Sequence, residues 1–496
     1  MTQPTPTPTP TLARRLTLTG LVATGVCSMI GVAINTIPFT MQRSVPGIGP
    51  NVLLAFVIAA IPAFLAGLAF AVLASAMPNA GGTYVYASRA LSPYLGFVAS
   101  FSQWLAICVG MGIVSYLLMP FLRDLALALG ARTVAAVLDQ PAVRIIGPLA
   151  LIWAAAYVNI RGIRAYQRTV VPLMFLTLAI GAVVIVAGFS YTHAEFEAAL
   201  LARNGVRVGD PAITRLPLSA LLSAVPVIFA CFIGFESIAQ AGGEAADPRR
   251  LPLAILIAVV GVAAFYLLFT AAVYHAVPWR YVADQAMTSD VTAPGLLGYL
   301  LPRSWAVIVL AGMSVALVKD LPAMLMGISR LPFAWAEDGI FPAPLAAVHE
   351  VRRTPYVAIM VTAVMASLAV MGCALAGDFL RAVDVAVTAI LVNYVLMSLS
   401  VLTLPRRNAV IASRITALRG AVLRDTVAAL GMISLGALLL VQCWRDLHAD
   451  HPWYLSTTWG WVVVVAVGTA LYVREVRRLR NAGVDLDARF REAPSQ

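Results

Sequence analysis

Residues 25–35 read Gly25-Val26-Cys27-Ser28-Met29-Ile30-Gly31-Val32-Ala33-Ile34-Asn35 and lie inside the first long apolar segment, residues 17–40. This stretch places several small residues in one third of that segment. Small residues permit either close packing against another helix or local unwinding that frees backbone groups. Unwound backbone at membrane depth is tolerated only where protein or a water-filled cavity satisfies it. Taken alone, the stretch is compatible with both interpretations.

A second apolar segment is interrupted in the same way. Residues 226–243 read PVIFACFIGFESIAQAGG, with Gly234 near the middle and Glu236 beside it. Two interrupted apolar helices at corresponding positions of two halves indicate the binding site of a secondary transporter. We therefore expect the first and sixth spans to be discontinuous.

Four motifs resemble those of the amino acid–polyamine–organocation (APC) superfamily, in the right order and over most of residues 15–405. They are Ser28-Met29-Ile30-Gly31-x-Ala33-Ile34, Asn159-x-Arg161-Gly162, Phe232 to Ser237 followed by Asp247-Pro248-Arg249-Arg250-x-Pro252, and Ser329-Arg330 through Glu337 to Pro342 and on to Thr354-Pro355. The patch from Pro78 through Gly81-Gly82 to Tyr86 is also similar and suggests a gating loop. Cys27 and Ala33 stand where the family usually carries glycine, which predicts a tighter lip to the pocket. The resemblance implies an all-α membrane protein with twelve helices, a 5+5 inverted repeat and discontinuous helices 1 and 6.

The composition excludes a soluble protein. The chain is 61% hydrophobic and 11% charged, against about 25% charged residues in soluble domains. Spans of about 20 apolar residues account for its length as one helical bundle. The twelve predicted spans are 17–40, 51–76, 94–122, 144–160, 169–189, 217–242, 251–276, 304–329, 356–376, 382–404, 421–443 and 455–473.

These spans divide the chain into five predicted regions. Residues 1–15 are predicted to be a disordered cytoplasmic tail, because 2–11 are a Pro/Thr repeat. Residues 16–190 and 217–404 are the two predicted repeats, 421–474 hold helices 11 and 12, and 475–496 form a cytoplasmic tail. Arg14-Arg15 before an apolar run mimics a secretion signal, but the run is too long and many spans follow, so it is interpreted as helix 1.

The basic residues predict orientation rather than nucleic-acid binding. Placing the N-terminus in the cytoplasm puts 22 arginines on that side and 11 on the other. Such a bias is typical of the positive-inside rule, and it accounts for the net charge of +11. We expect a multi-pass protein of a cell membrane, the bacterial inner membrane, with both termini cytoplasmic. The five cysteines are scattered without metal-binding or paired spacing, so neither a metal nor any other cofactor is predicted.

Lys319 is the single lysine among 34 basic residues. It lies about 16–24 Å along the predicted eighth helix from the nearest arginines, where a charge is costly and marks function by default. In sodium-coupled proteins that this chain resembles, a cation lies between helix 1 and this part of helix 8. We therefore expect the Lys319 ammonium to replace the metal ion and, because a buried lysine changes its charge readily, to couple transport to protons. The alternative is a structural ion pair of Lys319 or Asp320 with Glu236 or Asp384, and a Lys319→Met substitution separates the two.

Freed peptide groups at the two breaks suit a zwitterion. The N–H groups and the positive dipole end at the start of the outer half of helix 1 suit an α-carboxylate, and freed carbonyls suit an ammonium group. This matching of both poles favours an amino acid over a sugar or a metal ion. The predicted substrate-binding residues are Cys27, Ser28, Met29, Ile30, Gly31, Val32, Phe229, Ala230, Phe232, Gly234, Trp104, Ile107 and Met324.

The pocket candidates are large and apolar, with Met111, Phe235 and Asn393 as further members. They favour a neutral or hydrophobic amino acid over arginine or a polyamine, although stripes of this kind also pack helices together. Glu236 lies just beyond the break of helix 6 and is predicted either to sense protons, with Lys319 and Asp320 as the other coupling candidates, or to form part of a gate. The alternative is that it only caps the second half of that helix.

Other classes of protein fit less well. The sequence has no nucleotide-binding loop, no nucleophile turn and no membrane-embedded histidine cluster, so an enzyme or an ATP-driven pump is not predicted. A channel, a sensor that binds amino acids without moving them, and an exchanger without ion coupling remain as alternatives. The sequence leaves the particular substrate and the oligomeric state open.

Overall fold

The computed structural model describes residues 11–208, 218–288, 291–376, 379–449, 452–453, 456–485, 489–490 and 492. Residue 11 is described, and the rest of the Pro/Thr repeat lies outside the described residues. Within the described part the chain is helical, and its only β contacts are two isolated bridges, Leu16 with Ala245 and Ala80 with Ala241.

The α-helices are numbered along the chain. Those of the first half are α1 (Leu18–Met29), α2 (Val32–Ser44), α3 (Val52–Ala76), α4 (Gly82–Ala90), α5 (Pro93–Ala128), α6 (Arg132–Leu138), α7 (Val143–Ile160), α8 (Ile163–Ser190), α9 (His193–Asn204), α10 (Leu218–Phe229) and α11 (Glu236–Gln240). Those of the second half are α12 (Leu251–Ala276), α13 (Trp279–Thr288), α14 (Ala293–Leu297), α15 (Arg303–Val318), α16 (Asp320–Ile328), α17 (Arg330–Glu337), α18 (Tyr356–Ala376), α19 (Phe379–Arg407), α20 (Ala409–Ala412), α21 (Ala421–Leu447) and α22 (Thr457–Asn481).

Eleven helical stretches of the described residues are long and apolar enough to cross a membrane. They correspond to eleven of the twelve predicted spans. The remaining prediction, 217–242, falls on an apolar helix that covers only Leu218–Phe232 before the chain unwinds. Its first residue, 217, lies outside the described residues.

Both predicted interruptions are present. The first span stops at Met29 and resumes at Val32, with Ile30 extended and Gly31 in a conformation outside the helical region. The sixth ends in a short 3₁₀ turn, and Gly234 follows with a φ of 134°. A side chain is strained at that φ, and glycine is not.

The eighth predicted span, 304–329, corresponds to α15 and α16, which belong to one apolar helical stretch over Val307–Glu337. The helices of this stretch meet at Lys319 and Ser329, whose backbone angles stay in the right-handed helical region. Pro322 weakens the helix at the first of these positions, because its ring nitrogen has no hydrogen to donate to the carbonyl of Val318 and clashes with it.

The interrupted segments form the centre of the bundle. α1 packs against α12, α16 and α8, while α5 packs against α18 and α19. Around the second interruption, Phe232 packs edge-on against Phe56 and near Tyr266, and Phe235 packs beside Tyr394. The two breaks meet directly, since a Cβ at Gly234 would lie 2.5 Å from the carbonyl oxygen of Ser28.

Candidate functional site

A cavity of about 100 Å³ lies against both breaks. Its lining begins at Ser28 and Met29 and continues along α2 and the second half of α5. The lining therefore extends away from the face of the bundle where the chain enters α1, which is called the N-terminal face below. The remaining lining comes from the sixth span, α16 and α19. The lining residues are Ser28, Met29, Gly31, Ala33, Thr36, Ile37, Ala106, Ile107, Gly110, Ile113, Val114, Leu117, Ala230, Ile233, Asp320, Met324, Val383 and Ala386.

Most of the side chains that line the cavity are apolar. Asp320 is the one ionisable side chain among its described lining residues, and Ser28 and Thr36 add hydroxyls. The Ser28 hydroxyl donates to the Thr24 carbonyl at 2.8 Å, so its proton is used within α1. Polar recognition in this cavity must therefore come largely from peptide groups.

At the first break, three successive carbonyls are bound by side chains. The Tyr266 hydroxyl donates to Met29 O at 2.5 Å, Lys319 Nζ to Ile30 O at 2.5 Å, and Asn35 Nδ2 to Gly31 O at 2.9 Å. The amide N–H groups of the first turn of a helix have no intrahelical partners, and the residue before α2, Gly31, has no side chain to cap them. The positive end of the α2 dipole therefore lies beside the cavity, an arrangement that suits an anion.

Lys319 is completely buried, and its ammonium lies between the break and Asp320. It donates to Asp320 Oδ1 at 2.6 Å as well as to Ile30. Adjacent residues of a helix point in different directions, but the long Lys319 side chain reaches the neighbouring carboxylate. A charged ammonium with a buried carboxylate as partner avoids the full cost of an isolated buried charge.

Gly31 fixes the position of the Asp320 carboxylate. A Cβ at this position would lie 1.6 Å from Asp320 Oδ2, a distance at which no atom fits. The absence of a side chain at Gly31 therefore lets the carboxylate reach the edge of the first break, where it lines the cavity.

At the sixth-span break, the partner is Glu236. Its Oε2 accepts from the Gly234 N–H at 2.9 Å and from the Tyr394 hydroxyl at 2.6 Å, and its side chain is buried. The contact with Gly234 means that the carboxyl group binds a freed peptide group two residues before it.

Glu236 does not pair with Lys319, and Asp384 instead binds Arg445 and Gln442. The two structural ion pairs considered for Lys319 are therefore not formed.

The predicted binding residues fall into two groups. Ser28, Met29, Gly31, Ala230, Ile107 and Met324 line the cavity together with Asp320. The other predicted residues whose side chains are described do not line it. The Ile30 carbonyl binds Lys319, the Cys27 thiol faces the Val170 carbonyl, and the Trp104 indole donates to Thr362 at 3.2 Å. Phe229 and Phe232 lie in aromatic packing, Gly234 packs on Ser28, and the Val32 side chain lies outside the described residues.

Sequence reasoning missed several residues of the site. On α5, Ala106, Gly110, Ile113 and Leu117 all line the cavity, and their spacing of four, three and four residues is the signature of one helical face. That stripe could have been identified from the sequence. The roles of Tyr266 and Tyr394 could not, because no local pattern shows which buried hydroxyl binds a break more than a hundred residues away.

The N-terminal face is closed by two buried ion pairs. Arg330 binds Glu244 through two hydrogen bonds of 2.8 Å, with both side chains fully buried. Arg89 binds Asp338 at 2.5 and 3.0 Å. Burial opposes the charge on Arg89, but the hydrogen bonds and the charge of Asp338 more than offset this, so the pKa of Arg89 is raised.

Backbone contacts complete the closure. Leu16 exchanges hydrogen bonds of 2.9 Å with the chain at Glu244 and Ala246, and the Gly81 N–H donates to the Gln240 carbonyl at 3.0 Å. Leu12 packs nearby in a small apolar cluster with Ala80 and Phe333. The cavity is therefore separated from the N-terminal face by packed protein.

Comparison with known proteins defines the class. The amino acid permease family matches residues 16–467, nearly the whole chain, and the protein belongs to this family. It is a membrane transporter rather than an enzyme. The family assignment agrees with the interrupted spans and with the cavity between them.

Individual relatives are more distant. An uncharacterized transporter of Mycobacterium tuberculosis is 30% identical over 404 residues, covering 79% of this chain and 81% of the relative. Mouse cationic amino acid transporter 4 is 27% identical, over 72% of this chain and 55% of its own length. The branched-chain amino acid permease of Bacillus subtilis is 23% identical, over 72% of this chain and 74% of its own.

Proposed function

We propose that this protein is a secondary active transporter that moves a neutral, aliphatic amino acid by alternating access, with proton coupling through Lys319. The observation that carries the proposal is the cavity at two meeting helix breaks, with the Lys319 ammonium bound to the Ile30 carbonyl. In this arrangement α10 and α11 complete a twelfth crossing, and residues 16–190 and 217–404 form the two inverted repeats. The arginine bias supports a cytoplasmic N-terminal face, and in that orientation the cavity faces outward.

The substrate class follows from charge and lining. A zwitterion would place its carboxylate at the N–H groups of α2 and its side chain against the aliphatic stripe of α5. The Asp320 carboxylate is already paired with Lys319, so the described lining leaves no unpaired acid for a cationic side chain. The family includes relatives named for both cationic and branched-chain amino acids, and this cavity favours the second kind.

Lys319 occupies the position at which the coupling ion is expected. An ammonium that holds a break carbonyl would stabilise the closed arrangement of α1 and α16 when charged and release it when neutral. Lysine suits that change, because it is the basic side chain that can lose its charge at a buried site. Protonation from the outer side and deprotonation toward the cytoplasm would then bias transport inward.

Exchange without ion coupling is the alternative. A lysine that keeps its charge throughout the cycle would fill the ion position without dissipating any gradient. Two chlamydial relatives are named arginine/agmatine antiporters, at 24% and 23% identity. The alternative predicts substrate counterflow but no uptake driven by a pH gradient.

A ligand screen on the purified protein tests the substrate class. The twenty amino acids and agmatine are added in turn, and thermal unfolding is followed in detergent. A ligand at 100 times its Kd stabilises the folded state by about 2.7 kcal/mol, so leucine, isoleucine or valine should raise Tm clearly and arginine or agmatine should not. A shift with arginine alone would contradict the aliphatic assignment.

Counterflow in proteoliposomes separates a carrier from a channel or a sensor. Internal unlabelled substrate should accelerate the uptake of external label, saturably. Binding without counterflow would indicate a sensor, and flux that does not saturate would indicate a channel.

A further inference from the structure

The C-terminal segment folds back onto the N-terminal face. The segment follows α22, which ends at Asn481. Its described residues Arg489, Phe490 and Glu492 contact α4 and the chain at the end of α17, which carry the Arg89–Asp338 ion pair. These contacts are not part of the transport mechanism proposed above, and they give the segment a specific place.

The first contact is with Arg89 on α4. The Arg89 guanidinium binds Asp338 through two hydrogen bonds, and its Nε also donates to the Glu492 carbonyl at 3.1 Å. The Phe490 ring covers the same guanidinium at 4.8 Å from its centroid, and Phe490 is only 6% exposed. An aromatic ring over a desolvated guanidinium is a favourable cation–π contact, so the segment adds binding energy to the closed ion pair.

The second contact is with the chain that follows α17. Arg489 Nη2 donates to the Glu337 carbonyl at 2.8 Å. Gly339 lies against the same segment, since a Cβ there would meet Leu479 at 3.3 Å and Arg489 at 3.6 Å. The segment therefore contacts both elements that carry the Arg89–Asp338 pair. These are α4, which carries Arg89, and the loop after α17, which carries Asp338.

We propose that the C-terminal segment is a latch that holds the N-terminal face closed and so lowers the rate at which the transporter opens on that side. A ligand that binds one state better than another shifts the equilibrium toward that state, and a tethered segment acts as such a ligand at high local concentration. Opening this face must separate α4 from the loop after α17, because these carry the two partners of the ion pair. The latch bridges them, so it must detach first.

Cysteine accessibility measures this opening without any need for transport. Ala80 is fully buried at the bridge to Ala241, and an Ala80→Cys substitution in a Cys443→Ser background reports opening, because the other four cysteines are buried. Labelling is compared between the full chain, a truncation after Gly483 and a Phe490→Ala substitution. Both changes should increase the labelling rate by about threefold or more, within the range of about 2- to 30-fold that a cation–π contact supplies.

A matched control removes only residues 493–496 and keeps Arg489, Phe490 and Glu492. It should label at the rate of the full chain. Adding a synthetic peptide of residues 484–496 to the truncated protein should slow labelling again. The elution profile and Tm of each variant show that the protein remains folded.

The proposal is overturned if the truncation and Phe490→Ala label at the rate of the full chain while remaining folded. An equal increase in labelling rate for the truncation after Gly483, for Phe490→Ala and for the control truncation would also contradict a contact specific to Phe490. Because the readout needs no substrate, failure of the latch and failure of the proposed transport are distinguishable.

Discussion

The two helix breaks bind freed backbone groups with a basic and an acidic side chain, from different distances along the chain. At the first break, Lys319 lies 289 residues after the Ile30 carbonyl that it binds. At the sixth-span break, Glu236 lies two residues after the Gly234 N–H that it binds. The Lys319 contact therefore depends on the packing of α16 against α1, whereas the Glu236 contact lies within one span.

This difference leads to a hypothesis about which break changes during transport. Glu236 stabilises the sixth break from within its own span, and Tyr394 of α19 also donates to it. The Lys319 contact ties the first break to a different span. We therefore expect the coupling event at the first break and a smaller change at the sixth.

The largest expected effect is from Gly31→Ala. Its Cβ would overlap Asp320 Oδ2 and push the carboxylate away from Lys319. Overpacking costs about 1–3 kcal/mol, and breaking a buried ion pair costs about 3–5 kcal/mol. We expect little folded protein by size-exclusion chromatography. Gly261→Ala in α12 is the matched control, because a Cβ at Gly261 meets nothing within 4 Å, and it should express normally.

Lys319→Met should cost less than Gly31→Ala. It leaves the Asp320 carboxylate buried without its cation and the Ile30 carbonyl without its donor, which predicts a loss of about 3–5 kcal/mol. Asp320→Asn in the same chain removes the unpaired charge and should recover most of this loss. Thermal unfolding of the two single variants and the double variant measures the coupling. Additive effects would contradict the pairing.

Tyr394→Phe tests the sixth break alone. The hydroxyl donates to Glu236 Oε2 at 2.6 Å, and removing a donor from a buried acceptor costs about 1–3 kcal/mol. The account predicts a loss of stability in that range, with the dependence of transport on the pH gradient unchanged. A changed gradient dependence would show that the sixth break takes part in coupling and would remove the distinction between the two breaks.

Ser28→Ala should have the smallest effect. The Ser28 hydroxyl already donates within α1, so a substrate held by peptide groups loses no direct contact. We expect a change in stability of about 0.5–1.5 kcal/mol and less than about threefold in the apparent affinity for substrate. A much larger loss of affinity would mean that this side chain, and not the backbone of the break, binds the carboxylate.

Much of this architecture was readable from the sequence. The small residues around Gly31 and the glycine at 234 predicted both breaks, because local conformation there depends on residues close in the chain. The family motifs and the isolated lysine pointed to the site before any packing was known. Six of the thirteen predicted binding residues line the cavity, chiefly those at the breaks themselves.

The remainder depended on packing that a local pattern does not encode. Trp104 and Phe232 have the size and polarity of pocket residues, but helix rotation turns Trp104 toward Thr362 and Phe232 toward Tyr266. The pairing of Lys319 with the adjacent Asp320, and of its ammonium with the Ile30 carbonyl, likewise depends on the packing of α16 against α1.

The most direct test of the central claim measures uptake and exchange by the Lys319→Met variant in the same proteoliposomes. The account predicts that uptake driven by a pH gradient is lost while counterflow of the substrate persists, because the cavity and its peptide groups remain. Lys319→Arg, which keeps the charge but does not release it readily, should behave as the methionine variant does. Gradient-driven uptake at the level of the unaltered protein in the methionine variant would contradict a coupling role for Lys319.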